Sequence, residues 1–263
     1  MTPTRPPYTD FRRRLRAGEH LLGTFIKTPT THATEILGML GFDFVVIDQE
    51  HASFGANTID MMVLGARASN IAGIVRVGDP SEANILSVLD CGATGILVPH
   101  VSTAQKARGI AAACRYRGGS RGFANTTRAG RFGEATFPEH MEEQDSRVTC
   151  IAMIEDLAAL DEIDAIAAVE GIDAFFIGRG DLTAALGAPS MTSAETHRVV
   201  APIMAAARKA GMPTIMLSPD RKDALAMAKL GATAFMVSSD QGLMKQAAKL
   251  ALAEFASPIE GTP

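Results

Sequence analysis

Two carboxylates close two apolar runs of this chain, in Ala152-Met-Ile-Glu155 and in Phe175-Phe-Ile-Gly-Arg-Gly-Asp181. If those runs are neighbouring strands, the acids converge. A convergent acid pair suits a hard divalent cation whose remaining positions go to water and substrate oxygens. The plainer alternative pairs Glu155 with an arginine and makes Asp181 the N-cap of a helix beginning at Leu182. His51 ends the sequence Asp48-Gln-Glu-His51. An imidazole there can act as general base, with Asp48 and Glu50 placed to hold its tautomer or raise its basicity. His100, after another run, is the second candidate. Arg76 stands inside Ile74-Val-Arg-Val77, where a cation needs a negative partner. That partner is a substrate carboxylate or enolate oxygen, an internal acid such as Glu50 or Glu155, or both at once. Gly178-Arg-Gly-Asp181-Leu offers backbone N–H groups at a helix N-terminus, so Gly180 and Asp181 form a candidate seat for a substrate carboxylate. Lys27 closes Thr24-Phe-Ile-Lys27 and is the candidate amine if the chemistry runs through a Schiff base.

Such residues need a scaffold that brings strand ends together. A phrase recurs four times: a glycine, a short turn, then an apolar run that is mostly β-branched or aromatic. Its copies are Gly41-Phe-Asp-Phe-Val-Val-Ile-Asp48, Gly92-Ala-Thr-Gly-Ile-Leu-Val-Pro99, Gly171-Ile-Asp-Ala-Phe-Phe-Ile-Gly178 and Gly231-Ala-Thr-Ala-Phe-Met-Val-Ser238. Continuously apolar strands are buried on both faces, as in a parallel sheet covered by helices. Four further runs at 21–26, 71–77, 148–154 and 213–217 bring the total to eight. The fold class is therefore α/β, a single (β/α)8 barrel with its catalytic residues beyond the carboxyl ends of the strands.

Helical signals fill the gaps. Ile59, Met62, Val63 and Ala66 form a core-facing stripe. Asp79-Pro-Ser-Glu82 reads as an N-cap, a proline at the first helical position and an acid three residues on. Ser193 caps a helix that Gly211 stops. A helix over 103–114 leads into a Gly- and Arg-rich stretch, 115–131, read as an active-site loop over the barrel mouth. Residues 1–10 read as a flexible N-terminus and 11–263 as the catalytic barrel. Arg12, Arg13, Arg14 and Arg16 read as the solvated face of a short leading helix. His20, His32, His140 and His197 read as surface residues.

The totals agree. At 263 residues the chain fits one barrel of about 250. A formal charge of −4 gives no footprint for nucleic acid or acidic membranes. No apolar stretch nears the roughly 20 residues that span a bilayer, and the N-terminus lacks the apolar core of a secretory signal. Cys91, Cys114 and Cys150 lack metal-ligand spacing and read as reduced, cytoplasmic thiols.

These signatures resemble the metal-dependent (class II) pyruvate aldolases of the 2-oxo-acid aldolase and citrate lyase superfamily. The carrying motifs are Gly-Phe-Asp-Phe-Val-Val-Ile-Asp-Gln-Glu-His51, Val-Arg76, Leu-Asp90-Cys-Gly-Ala, Leu-Val-Pro99-His-Val, Arg121-Gly122, Ile-Glu155 and Ile-Gly-Arg-Gly-Asp181-Leu. The resemblance runs from Leu21 to the last helix. It implies Glu155 and Asp181 as ligands of Mg²⁺, Mn²⁺ or Co²⁺, with His51 as base and Arg76 as stabiliser of negative charge. It also implies Gly180 and Asp181 as the carboxylate seat, and Asp90 as the group that makes His51 more basic. Barrel topology, however, sets Asp90 at the end away from the mouth. The implied substrates are a pyruvate-type 2-oxo acid and an aldehyde. The implied assembly is a homohexamer, a trimer of dimers that exchange the C-terminal helix. Met153 replaces a glutamine of some relatives, Arg179 a proline, and Arg117-Gly118-Gly119 a segment that carries a double proline; these departures bear on the choice of aldehyde. The rival readings are a Lys27 Schiff-base aldolase, a lyase of acyl-CoA esters, and a non-catalytic 2-oxo-acid binding barrel.

Overall fold

The computed structural model describes residues 6–256. Eight strands form a closed parallel barrel in sequence order. They are β1 (Leu21–Ile26), β2 (Phe44–Asp48), β3 (Ala72–Arg76), β4 (Gly95–Val98), β5 (Thr149–Ile154), β6 (Ala174–Ile177), β7 (Thr214–Leu217) and β8 (Ala234–Ser239). The helices are α1 (Phe11–Arg16), α2 (Thr31–Leu40), α3 (Ala56–Ala68), α4 (Glu82–Asp90), α5 (Ala104–Ala113) and α6 (Phe137–Arg147), then α7 (Ala159–Ala167), α8 (Arg179–Leu186), α9 (Ala194–Lys209), α10 (Arg221–Leu230) and α11 (Asp240–Phe255).

Two apolar layers explain why the sequence closes this way. Alternate strand residues point inward, among them Leu21, Phe25, Phe44, Val46, Ile74, Ile151, Met153, Phe176 and Met236, and fill the barrel as one packed cluster. The intervening residues, such as Val45, Ile47, Val75, Ile96 and Phe175, face the helices and form the second cluster. The Ile59, Met62, Val63 and Ala66 stripe of α3 is buried as its spacing predicts. Gly23 makes room for the Phe44 ring, since a Cβ there would lie 2.5 Å from its carbons. Phe11 of α1 meets that ring at 5.2 Å between centroids, so α1 plugs the end of the barrel where the strands begin.

The structure departs from the sequence reading in several places. Residues 1–5 lie outside the described residues. Tyr8–Asp10 form a 3₁₀ turn, and the Tyr8 N–H donates to Asn70 Oδ1 at 2.9 Å. Arg12 and Arg14 are not a solvated face. Arg12 Nε pairs with the buried Asp173 at 2.8 Å, and Arg14 pairs with Glu19 and Asp43. Ser81, not Asp79, caps α4, because Asp79 instead accepts from the Ser81 N–H and hydroxyl.

The stretch after α5 does not cover the mouth. A helix of a barrel returns the chain to the far end, and the segment then packs outside α3 and α4. Ser120 bonds Glu82, Arg121 pairs with Asp90, and Arg128 pairs with Asp60. It ends in α6, opened by a capping box between Thr136 and Glu139. His140, read as a surface residue, is fully buried there, with its Nε2 2.9 Å from the Tyr116 hydroxyl. The three cysteines are free. Burial pushes the Cys91 thiol up to about 11, which leaves it inert. Among the described residues no helix is long and apolar enough to cross a membrane.

Candidate active site

The inward face of each strand recurs every second residue. Leu21, Gly23 and Phe25 therefore lead to Lys27; Phe44 and Val46 to Asp48; Ala72 and Ile74 to Arg76; Ile151 and Met153 to Glu155; Phe176 to Gly178; and Met236 to Ser238. One ring of residues at the strand ends thus carries most of the polar chemistry. Asp48 and Arg76 are partners in the β2–β3 register.

Their side chains are joined. Arg76 donates from Nε to Asp48 Oδ1 at 2.9 Å and from Nη2 to Oδ2 at 2.7 Å. Arg76 Nη1 lies 3.2 Å from Glu50, and its guanidinium stacks over Phe25 at 4.9 Å. The anion that the strand-borne arginine needs is therefore Asp48, with Glu50 beside it. Burial alone would raise the Asp48 carboxyl, but the Arg76 hydrogen bonds and charge outweigh it and hold the group below the ordinary aspartate value. Lys27 Nζ adds a second cation 3.2 Å from Asp48 Oδ2. That ion pair is not the apolar pocket a Schiff-base amine requires.

His51 sits at the mouth with its side chain 56% exposed. Its backbone N–H donates to Asp48 Oδ1 at 3.1 Å, so Asp48 fixes the main chain at His51 and spends its oxygens on Arg76 and Lys27. The acid beside the ring is Glu50, 3.8 Å from His51 Nε2 and 3.7 Å from His100 Nε2. Asp90 is the residue that the structure does not bring to His51. It ends α4 and pairs with Arg121 at 3.2 Å, because the helix runs antiparallel to the strands and delivers its last residue to the opposite end. Within this chain Asp90 anchors the 115–147 segment. Burial, only partly offset by Arg121, raises its carboxyl.

Glu155 is almost fully buried. It accepts the His100 backbone N–H at 2.9 Å, with His100 in the left-handed region at φ 55°. Burial chiefly, with the Asp181 carboxyl pressing from the side, lifts Glu155 to about 7. Asp181 lies in the first turn of α8, and Gly178, not Asp181, is the N-cap. A Cβ at Gly178 would come within 2.7 Å of Glu155 Oε2, so glycine lets the acid lie against the strand end. Two carboxyl groups held together at the mouth, Glu155 buried and driven to keep a proton and Asp181 exposed, match the donor set a hard cation prefers. Among the described residues no group of three or more His, Cys, Asp or Glu encloses a metal ion. A two-carboxylate seat leaves the other positions to water and substrate.

The mouth opens into a cavity of about 370 Å³ lined by Lys27, His51, Arg76, Gly180, Asp181 and Ser238 among others. Arg179 also lines it, buried and paired with Asp223 through both carboxylate oxygens. Sequence reasoning missed this clamp, Phe25 beneath Arg76, and Ser238; the period-two inward register is the signal that finds the last two.

A closed eight-stranded parallel barrel with acids, a cation and an imidazole at its open end is a (β/α)8 enzyme. The sequence profile described as HpcH/HpaI aldolase/citrate lyase matches residues 21–247. The chain is 35% identical to a 5-keto-4-deoxy-D-glucarate aldolase of Klebsiella pneumoniae over 90% of its own length and 93% of that protein. A solved HpcH/HpaI aldolase/citrate lyase family protein from Burkholderia cenocepacia superposes with a TM-score of 0.89 at 27% identity, covering 95% of this chain and all of that one. The citrate synthase SbnG superposes at 0.83 with 30% identity, over 92% of this chain and 96% of its own. The chain belongs to the HpcH/HpaI aldolase/citrate lyase family. It is a carbon–carbon lyase of the aldolase type.

Proposed function

We propose that this aldolase cleaves, and in reverse forms, the C3–C4 bond of a 4-hydroxy-2-oxo acid, with a pyruvate-type 2-oxo acid and an aldehyde as the two parts. The observation that carries this reading is the meeting of Glu155 and Asp181 at the mouth, beside Arg76 and His51. Held by those two acids, Mg²⁺, Mn²⁺ or Co²⁺ would supply Lewis acidity toward the oxygens of the 2-oxo acid.

The chain's own residues do the rest. Backbone N–H groups at Gly180 and Asp181, at the N-terminus of α8, seat the substrate carboxylate. Arg76, fixed in direction by Asp48, turns its remaining N–H groups toward the oxygen on which negative charge develops. His51 takes the proton of the 4-hydroxyl. The O–H pair becomes the aldehyde C=O as C3–C4 breaks, and the bonding electrons move into the pyruvate enolate. Protonation at C3 completes the turnover. His100 and Glu50 flank the base and tune the charge around it.

The test is pyruvate with a panel of aldehydes and each divalent ion, read by product analysis; 5-keto-4-deoxy-D-glucarate is the first cleavage substrate to try. Full activity after exhaustive chelation excludes the cation's role. Absence of any exchange at the pyruvate methyl group in D₂O excludes the enolate.

The reading extends to assembly and location. The proposed unit is a homohexamer, a trimer of dimers exchanging α11. None of the α11 side chains is buried, while α2 and α3 expose Ile36, Met39, Leu40, Met61 and Leu64, apolar surface of the kind that subunits cover. Cell fractionation tests the proposed cytoplasmic location.

A further inference from the structure

The seat proposed for the substrate carboxylate rests on a short helix with little to hold it. α8 has eight residues and buries only Arg179 and Leu182. Its N-cap, Gly178, has no side chain with which to close the first turn. Gly180 is a second glycine in that turn, and glycine is the residue least able to fix a backbone. Among the described residues the main-chain N–H groups of Arg179, Gly180 and Asp181 have no acceptor. Three such donors hold an anion well only if the turn that carries them is held still.

Arg179 does the holding. Its side chain is 1% exposed, and every bond its guanidinium makes runs away from α8. Nη1 donates to Asp223 Oδ1 at 2.8 Å, and Nη2 donates to Asp223 Oδ2. Nη2 also donates to the Leu217 carbonyl at 2.6 Å, and Nη1 to that of Met191 at 3.4 Å. The end of β7, the first turn of α10 and the loop over 187–193 are thereby tied to the start of α8. Asp223 is itself fixed, since its N–H donates at 2.8 Å to Asp220, the cap of α10.

The place of these partners matters. Met191 and Leu217 line the mouth cavity with Gly180 and Asp181, while Asp223 stands behind that lining. Both Nη groups are committed to Asp223 and to carbonyls, so Arg179 acts on a ligand through the main chain it anchors.

We propose that Arg179, locked to Asp223, is the positioning residue for the 2-oxo acid. It holds the first turn of α8 so that three N–H groups meet the substrate carboxylate and Asp181 meets Glu155. This rests on the proposed aldol reaction and deepens its donor seat. The clamp sets affinity for the 2-oxo acid and the cation, which share that turn, and not for the aldehyde.

The experiment measures Mg²⁺ affinity by thermal shift, pyruvate affinity by calorimetry at saturating Mg²⁺, and aldehyde KM at saturating pyruvate. The proteins are wild type, Arg179→Lys, Asp223→Asn, their double variant, and Ile110→Ala, a core truncation on α5 that lowers stability alone. Lysine keeps the charge at 179 and loses the fork. We expect each single clamp variant to raise the pyruvate Kd about tenfold and to weaken Mg²⁺ more than threefold, with aldehyde KM within threefold of wild type. The double variant should bind pyruvate no worse than the weaker single, because Asp223 acts only through Arg179. Ile110→Ala should lose Tm and keep its pyruvate affinity.

A pyruvate Kd within threefold of wild type in both single variants overturns the proposal. So do additive losses in the double variant, an aldehyde KM that rises as much as the pyruvate Kd, or equal weakening in Ile110→Ala. If wild type binds Mg²⁺ but not pyruvate, the aldol reading falls by itself. The Mg²⁺ affinities then decide the clamp, and an Arg179→Lys value within threefold of wild type overturns it. Wild type that binds neither overturns both.

Discussion

Asp48 and Arg76, facing each other across β2 and β3, are joined by two hydrogen bonds at 2.9 and 2.7 Å in a fully buried setting. Neither can be removed alone without stranding the other. Arg76→Met leaves a buried carboxylate with only Lys27 as cation, and should cost about 3–5 kcal/mol of stability. It should also lower kcat by roughly 10²–10³. Urea denaturation and steady-state kinetics measure the two losses. A variant with native stability and activity would show that Asp48 has another partner and that Arg76 does not face the substrate.

Asp48 also sets an acid limit. Its folded carboxyl lies below the ordinary value of 3.8. A depressed carboxyl contributes stability that is present above the unfolded value and lost as pH falls through the folded one. Arg76→Met should remove that contribution, so its stability should fall less steeply than that of wild type below about pH 4. Parallel acid-unfolding curves would contradict the assignment.

Glu155 has the opposite sign. Lifted by burial from 4.5 to about 7, it binds its proton more tightly folded than unfolded. In cation-free protein its contribution to stability is fully present below pH 4.5 and is lost as pH rises through about 7. A cation must displace that proton, so affinity for Mg²⁺ should rise about tenfold per unit toward pH 7 and then level off. Thermal unfolding at pH 5 and pH 8 with and without Mg²⁺ reads this directly. Glu155→Gln should abolish the Mg²⁺-dependent rise in Tm at both values.

Arg179 stands where the resemblance expects a proline, and the structure gives the substitution a partner. Its guanidinium bonds both oxygens of Asp223 and also the Leu217 carbonyl at 2.6 Å. This ties the start of α8, beside Asp181, to β7 and α10. Asp223→Ala leaves a buried guanidinium unpaired and should destabilise by about 3–5 kcal/mol. A double change, Arg179→Pro with Asp223→Ala, removes both charges and should recover part of that loss. If the double variant is no more stable than Asp223→Ala, the pair is not the source of the effect.

What could be read in advance follows from periodicity. β2, β3, β5 and β6 are apolar on both faces, so the strands and the residues at their ends were legible, and with them Glu155, Arg76 and His51. Side-chain pairing was not legible. Nothing in Asp48-Gln-Glu-His51 tells that Asp48 turns inward to Arg76 while Glu50 flanks the imidazole; that needs the register between strands. α6 was missed because its sequence is polar and buries only His140, although Thr136-x-x-Glu139 with Pro138 marked its start. The place of Asp90 within its own chain was not legible, because a motif carries residue type and order but not the end of the barrel at which a helix stops.

α11 offers the last test. Leu250, Leu252 and Phe255 are 67–72% exposed, an apolar surface that a helix in water has no reason to keep. On a helix that stays on its own barrel, Leu250→Glu with Leu252→Glu would change stability by no more than about 0.5 kcal/mol. On a helix that crosses to another subunit, the two charges would be buried in an interface and the assembly should come apart. Light scattering after size-exclusion chromatography should then report a mass below the hexamer. A variant that keeps the wild-type mass would place α11 outside the interface and end the exchange proposal.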